Sequence, residues 1–295
     1  MKAHTEELVW IESEDGIRLD GVVIWPSSGK EKSVAVVQVH GFTARFSHPV
    51  HVLLGRELAS RGYVSISGNN RGFAFGETTY RQNTGEPVVI GGAWERFQEC
   101  PYDVGAWMSF AEGLGFNRAA LLGQSFGAPK AVYYQAQRQD PRVVGLILAS
   151  SGVGRGEIPA ERIALAEQMV EEGRGLELMP WQGTVSLAGM GSLADTLSAQ
   201  TTLDRAPANW PNFDVYGLRV PDPLVSRVRC PILAFYGSKE ESYFGSPQAN
   251  FDLIRQHATA APYVDTMIFE GANHAYSGHE AEVAKPVAEW IDRLL

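Results

Sequence analysis

The period of hydrophobic and polar positions changes several times along this chain. Residues 7–14 (ELVWIESE) and 17–25 (IRLDGVVIW) alternate, and Asp15-Gly16 between them is a hairpin signal. Two antiparallel strands at a sheet edge are predicted there. Residues 33–39 (SVAVVQV) are nearly continuous in apolar side chains, the pattern of a strand covered on both faces. Residues 49–61 follow helical spacing, with Val52, Leu53, Leu58 and Ala59 on one side and Gly62 as the stop. Residues 63–67 predict another short strand, and residues 73–92, rich in Gly, Thr and aromatics, predict a loop. Residues 93–114 predict helical material anchored by Trp94, Phe97, Trp107 and Phe110, with Pro101 interrupting it or starting a turn.

Further short apolar runs at 118–122, 143–150, 231–236 and 265–269 each read as a buried strand. Helix-forming runs at 128–136, 246–257 and 280–294 follow them. The alternation implies an α/β fold with a mostly parallel twisted sheet of about eight strands and helices on both faces. Residues 152–227 break the rhythm. They hold a predicted helix at 159–173 and then a passage rich in Gly, Pro and aromatics, with Trp181, Trp210, Phe213 and Tyr216. Structureless loops of that length are uncommon in compact domains. The expected organisation is therefore a core of residues 1–152 and 228–295, with residues 153–227 inserted as a lid over the carboxyl edge of the sheet.

Length and composition narrow the function without naming it. The 295 residues are 44% hydrophobic, enough for a large α/β core with an insertion. The net charge is −9, with Lys and Arg dispersed, which argues against nucleic acid or an anionic membrane as partner. The two cysteines, Cys100 and Cys230, are far apart, so neither a disulfide framework nor a structural zinc site is suggested. The polar N-terminus lacks an apolar signal core, and no run approaches the ~18 apolar residues of a membrane span. The expectation is a cytoplasmic protein with a small-molecule substrate, no metal and no cofactor, its oligomeric state left open.

The chemistry gathers around residues 121–127 (LLGQSFG). An apolar strand, then Gly-x-Ser-x-Gly, then a helix places Ser125 in a sharp, strained turn above a helix N-terminus. The motif alone is common by chance; its context carries the weight. A serine hydroxyl needs a base within hydrogen-bond reach. His274, after the last predicted strand, suits that role because an imidazole titrates near neutral pH. An acid must orient the imidazole and stabilise its cation. Glu240 and Glu241 follow the strand at 231–236, and Glu157 follows the one before it. Nucleophile, acid and histidine then occur in that chain order at carboxyl ends of parallel strands, so they can converge at one edge of the sheet.

Those features, with His40-Gly41 after the third strand and Arg71-Gly72 after the fourth, resemble the α/β-hydrolase superfamily over nearly the whole chain apart from the lid. Residues 91–134 are similar to bacterial and fungal hydrolases related to siderophore esterases. The resemblance implies oxyanion donors on the backbone of Phe126, after the serine, and of Phe42, after His40-Gly41. It favours Glu240 as the acid, since relatives carry Asp three residues beyond the equivalent of Gly237. His40 is then expected to hold the oxyanion loop through hydrogen bonds. Thr43, Arg45, Trp181 and Trp210 are candidate substrate contacts, and Arg71 reads as pinning its own loop. His48, His51 and His279 read as bystanders.

The function implied is hydrolysis of a carboxylic ester or lactone through an acyl-enzyme on Ser125. The same residues would serve C–C bond hydrolysis, amide hydrolysis or acyl transfer. A binding protein on a hydrolase fold is the alternative of another class. The presence of Ser125 and His274 speaks against it, and a glutamate as the acid speaks for it. A haloalkane dehalogenase or epoxide hydrolase would need a carboxylate at position 125.

Overall fold

A computed structural model describes residues 4–27, 31–152, 158–180, 196–240 and 246–295. Its frame is an eight-stranded sheet in the order β1-β2-β4-β3-β7-β8-β9-β10. β1 (His4–Glu12) and β2 (Arg18–Pro26) form the antiparallel edge hairpin around Asp15-Gly16. The parallel part is β4 (Ser65–Gly68), β3 (Ala35–Val39), β7 (Ala119–Gln124), β8 (Val143–Ala149), β9 (Ile232–Gly237) and β10 (Val264–Phe269). β2 joins this set antiparallel, through β4. Every residue of β3, β4, β7 and β9 is buried, as the continuous apolar runs require of strands covered on both faces.

Helices cover both faces. Against one face lie α1 (Pro49–Ala59) and the C-terminal α8 (Glu280–Asp292). Their apolar sides, including Leu54, Leu58, Val283, Val287 and Trp290, pack with Val36, Leu122 and Phe235. Against the other lie α2 (Cys100–Gly113) and α3 (Gly127–Arg138), with Trp107, Ala131 and Val132 packed on Val37, Leu121 and Leu146. Pro101 stands in the first turn of α2, where its missing N–H costs nothing, so it starts the helix. α7 (Pro247–His257) flanks β9 and β10 and is capped by the Ser246 hydroxyl, which accepts from the Ala249 N–H at 3.1 Å.

Two segments refine the sequence picture. Residues 73–92 are not wholly loop: β5 (Glu77–Tyr80) and β6 (Pro87–Ile90) pair as a small antiparallel hairpin. Its residues are mostly exposed, so no apolar alternation marks it. Between β8 and β9 lie α4 (Ala160–Glu171), α5 (Ala199–Asp204) and the one-turn α6 (Trp210–Phe213). Ala166 and Met169 of α4 pack with Met179 and Ala199 in a small core of their own. Hydrogen bonds tie this segment to the loop before α2: Ser198 N–H to the Ala93 carbonyl at 2.8 Å, Trp94 Nε1–H to the Leu176 carbonyl at 2.8 Å, and the Arg96 guanidinium to the Asp204 carboxylate at 2.9 and 3.2 Å. Among the described residues, no helix is long and apolar enough to cross a membrane.

Candidate active site

Ser125 stands between β7 and α3 with φ +54°, a left-handed conformation that a serine adopts only where its surroundings enforce it. The enforcement is close packing. A Cβ at Gly127 would collide with the carbonyl oxygen of Val39 at the end of β3, so only glycine lets the turn close. Ser125 N–H donates to the Ala149 carbonyl of β8 at 2.8 Å, and its own carbonyl accepts from Ala128 N–H at 3.1 Å as α3 begins. The side chain is left half-buried at the carboxyl edge of the sheet.

The His40-Gly41-Phe42 loop lies directly against this turn. A Cβ on Gly41 would sit 2.9 Å from Ser125 Cβ and 3.3 Å from the backbone nitrogen of Phe126. The rings of Phe42 and Phe126 meet edge to face at 6.3 Å. The two residues expected to supply oxyanion donors are therefore neighbours beside the serine. His40 is fully buried. Its Nδ1 lies 2.8 Å from the Gly41 carbonyl, and its Nε2 accepts from Asn70 N–H at 3.0 Å. An Nε2 that accepts and an Nδ1 that donates define one neutral tautomer. Burial, and after it the positive charge of Lys130, holds this imidazole well below its ordinary range.

His274 follows β10, and a hydrogen bond places its loop next to the serine turn: Gln124 Nε2–H donates to the His274 carbonyl at 3.1 Å. Its ring is one-third exposed, and Nδ1 faces Glu240 Oε2 at 3.4 Å. That is ion-pair range, slightly long for a hydrogen bond. Glu240, three residues beyond Gly237 and 7% exposed, is itself held in place. Its Oε1 accepts from the Ser150 hydroxyl and from Gly237 N–H at 3.3 Å. The Ser150 hydroxyl has one hydrogen, given to Glu240, so the Tyr276 hydroxyl bonded to Ser150 Oγ is the donor in that pair. Burial, and after it the charge of Glu240, raises the Tyr276 phenol well above its usual value. Ser150 and Tyr276 both have positive φ, at +48° and +54°, so the backbone is bent to bring these hydroxyls to the acid.

Thr43 and Arg45 line an open cleft of about 450 Å³ with Ser47, His48, Ala74 and Phe75. Thr43 immediately follows Phe42, so one wall of the cleft continues the oxyanion loop. The Arg45 side chain is exposed, and among the described residues no carboxylate lines the cleft. Burial, with Arg45 nearby, lowers the His48 imidazole from its ordinary value. Trp210 is half-buried, with the Arg219 guanidinium 4.8 Å over its ring. Trp181, Glu241 and Glu157 lie outside the described residues.

Among the described aromatics of the inserted segment, Phe213 reaches the serine turn. Its ring centroid is 5.8 Å from that of Phe126 and 5.2 Å from that of Phe97. Arg71 is buried and bonded to Asp15, Glu99 and Asp103, so it pins its loop and has no charge to spare for a ligand. His51 is buried, and His279 pairs with Glu282 at 2.7 Å. Among the described residues, no group of three or more His, Cys, Asp or Glu is placed to hold a metal ion.

Sequence reasoning missed Ser150, Tyr276, Asn70, Lys130 and Arg205. Of these only Lys130 carried a signal: it stands among Ala128, Ala131, Val132 and Tyr133 on a helix buried all round. A charge in such surroundings needs a partner. Arg205, buried after α5, lies 5.0 Å over the Phe42 ring and 5.3 Å from that of Phe126, a position no local pattern announces.

Comparison with known proteins agrees with this geometry at the level of the fold. No family model matches the chain, and no curated protein does. Solved structures match over nearly their whole length. Est1E from Butyrivibrio proteoclasticus, with ferulic acid bound, is 17% identical over 97% of this chain and 98% of its own, with a TM-score of 0.64. The esterase domain of a Rhodothermus marinus protein is 19% identical over 98% of both chains, with a TM-score of 0.60. The α/β hydrolase GrgF from Penicillium sp. sh18 is 13% identical over 98% of both, with a TM-score of 0.67. At this identity the likeness speaks for architecture, and together with the strand order and the serine turn it means that the chain has the α/β-hydrolase fold.

Proposed function

We propose that the protein is a serine hydrolase that cleaves a carboxylic ester or lactone through an acyl-enzyme on Ser125. The observation that carries this reading is the Glu240 carboxylate facing His274 Nδ1 at 3.4 Å, in a loop hydrogen-bonded to the residue before Ser125. Glu240 fixes the tautomer of His274, leaving Nε2 to take the Ser125 proton as the hydroxyl attacks the ester carbonyl. The oxyanion that forms is stabilised by the backbone N–H groups of Phe42 and Phe126. Collapse releases the alcohol, which receives the proton from His274. Water, deprotonated by the same imidazole, then attacks the acyl carbon and frees the acid and Ser125.

Two structural neighbours are described as an esterase domain and as a protein with a bound aromatic acid, which favours an ester over an amide as the first substrate to try. We assign the cleft beside Thr43 and Arg45 to part of the substrate, and the Arg45 guanidinium to an anionic group on it. Residues 153–227 act in this reading as a lid, with Arg205 and Phe213 against the Phe126 ring.

A fluorophosphonate probe tests the reading. Stoichiometric labelling on the peptide carrying Ser125, together with turnover of p-nitrophenyl esters, is expected. A protein that neither labels nor turns over any ester of the series is not a serine esterase.

A further inference from the structure

Beneath the oxyanion loop lies a pair of charges that hydrolysis does not use. Lys130 of α3 is 0% exposed and Glu95, in the loop before α2, is 1% exposed; the two are ion-paired. Burying both charges costs several kcal/mol per ion in desolvation, and a well-packed apolar pair of similar volume is often as stable or more so. Stability alone therefore does not account for them. Their connections suggest what does. Lys130 Nζ donates to Asn70 Oδ1 at 2.9 Å. Asn70 in turn grips the oxyanion loop twice: its side-chain Nδ2–H donates to the His40 carbonyl at 3.1 Å, and its backbone N–H donates to His40 Nε2 at 3.0 Å. His40 Nδ1 then meets the Gly41 carbonyl at 2.8 Å, the oxygen of the same peptide unit that carries the Phe42 N–H. The same ammonium lies 5.0 Å from the ring of Phe126, the other expected oxyanion residue.

We propose that the Lys130–Glu95 pair is a positioning device for the oxyanion hole: it locks Asn70, and through Asn70 and His40 it fixes the peptide that presents the Phe42 N–H. An ammonium bonded to two partners has a defined direction, which an apolar side chain lacks. Glu95 holds the Lys130 ammonium aimed at Asn70 Oδ1, an atom that also accepts from Gly72 N–H at 3.1 Å. The charge serves a second end. His40 can hold the loop only while its Nε2 is an unprotonated acceptor. The groups that bear on that ring are Lys130 from α3, His48 and His51 from the start of α1, and the Gly41 carbonyl. Burial first, then Lys130 and after it the two histidines oppose its protonation, and the Gly41 carbonyl favours it. The device rests on the reading of Phe42 as an oxyanion donor.

The test separates stability from catalysis. The double variant Lys130→Met/Glu95→Leu removes both charges at roughly conserved volume, and Asn70→Ala cuts the link while leaving the pair in place. In each, kcat on the best p-nitrophenyl ester is expected to fall about 10- to 100-fold, less than the loss of a whole oxyanion donor. KM is expected to stay within about threefold, since the hole acts on the transition state. The double variant is expected to keep the parent's melting temperature to within a few degrees. A variant that folds and keeps the parent kcat overturns the proposal; if the double variant does not fold, Asn70→Ala decides alone.

A second readout does not depend on ester turnover. In nitrogen-15 spectra of the parent, scalar coupling across the Asn70 N–H···Nε2 bond of His40 is expected, and it should vanish or weaken in both variants. Unchanged His40 signals in both variants also overturn the proposal. If the parent shows no Ser125-dependent hydrolysis, the functional reading fails, and the His40 spectra still decide whether the pair holds the loop.

Discussion

The two flanks of Ser125 are built in opposite ways. On one side, at the ends of β9 and β10, His274 is one-third exposed and Glu240 stands behind it, held by the Ser150 hydroxyl and the Gly237 N–H. On the other, at the ends of β3 and β4, His40, Asn70, Lys130 and Glu95 are all buried. Both flanks contain a histidine, and the difference lies in what surrounds it. His274 faces a carboxylate at 3.4 Å, whereas His40 is buried near an ammonium, and both burial and that charge oppose its protonation. A flank that moves protons must reach water and titrate near neutral pH. A flank that only presents N–H dipoles works best dry and rigid, where each dipole is worth more and needs no reorganisation.

The sharpest way to break this comparison is at the serine both flanks serve. Ser125→Ala is expected to fold normally and lose ester hydrolysis by about 10⁴-fold or more, keeping whatever the oxyanion donors and binding alone supply. Steady-state kinetics on the best p-nitrophenyl ester reads this out. On the proton-moving flank, Glu240→Gln keeps the shape but removes the charge. A loss of about 10²–10⁴-fold in kcat is expected, and a loss of less than about fivefold would take Glu240 out of the triad. Ser150→Ala removes one hydrogen bond to that carboxylate, and about a tenfold loss is expected, the size of a single bond to a charged group. A Ser150→Ala loss equal to that of Glu240→Gln would mean that the hydroxyl does more than hold the acid.

A smaller effect concerns the substrate. Arg45→Ala is expected to lower the preference for a half-ester of a dicarboxylic acid over its neutral methyl ester by about fivefold, the scale of one exposed charge pair. High salt should mimic the variant, because it screens the same attraction. An unchanged ratio would remove Arg45 from the cleft's function.

The buried flank also makes a prediction about stability. Burial, and after it the charge of His48, pulls His51 down to about 3 in the fold. It titrates near 6.5 when the chain is unfolded. Between those values the unfolded chain binds a proton that the folded one does not. Stability from this group is therefore complete above about pH 6.5 and is lost as pH falls toward about 3. His40, lowered in the same direction, adds to the effect. Urea unfolding at pH 7, 5.5 and 4.5 should show the parent weakening across that range. His51→Gln should weaken by about one proton's worth less, and identical slopes would contradict the burial of a neutral His51.

How much of this could be read from the chain itself follows the same division. The sheet was legible because strands covered on both faces leave unbroken apolar runs, as at 35–39 and 119–122. The hairpin at 77–90 was not, because its exposed strands bury too little to impose a period. The placement of Ser125, Glu240 and His274 after the ends of β7, β9 and β10 was legible because the apolar runs mark those strands. Ser150, which bonds Glu240, and Tyr276, which bonds Ser150, were not, since a serine after a strand and a tyrosine in a loop carry no pattern; only the fold brings them together. His40 as a loop-holding residue was expected, but its tie to Lys130 was not, because Glu95 and Lys130 are 35 positions apart in sequence and meet only across packed elements. The role of Trp210 depended on which aromatic of the inserted segment turns inward, and that is a matter of packing: Phe213 reaches Phe126, while Trp210 carries Arg219.

The central claim is a covalent acyl group on Ser125, and trapping it is the most direct test. The protein is mixed with excess p-nitrophenyl ester, quenched in acid within the first turnovers, and analysed by intact mass and peptide mapping. A single added acyl mass on the peptide carrying Ser125, absent from Ser125→Ala, is the predicted result. Turnover by the parent with the acyl group on another residue, or equal turnover by Ser125→Ala, would contradict it.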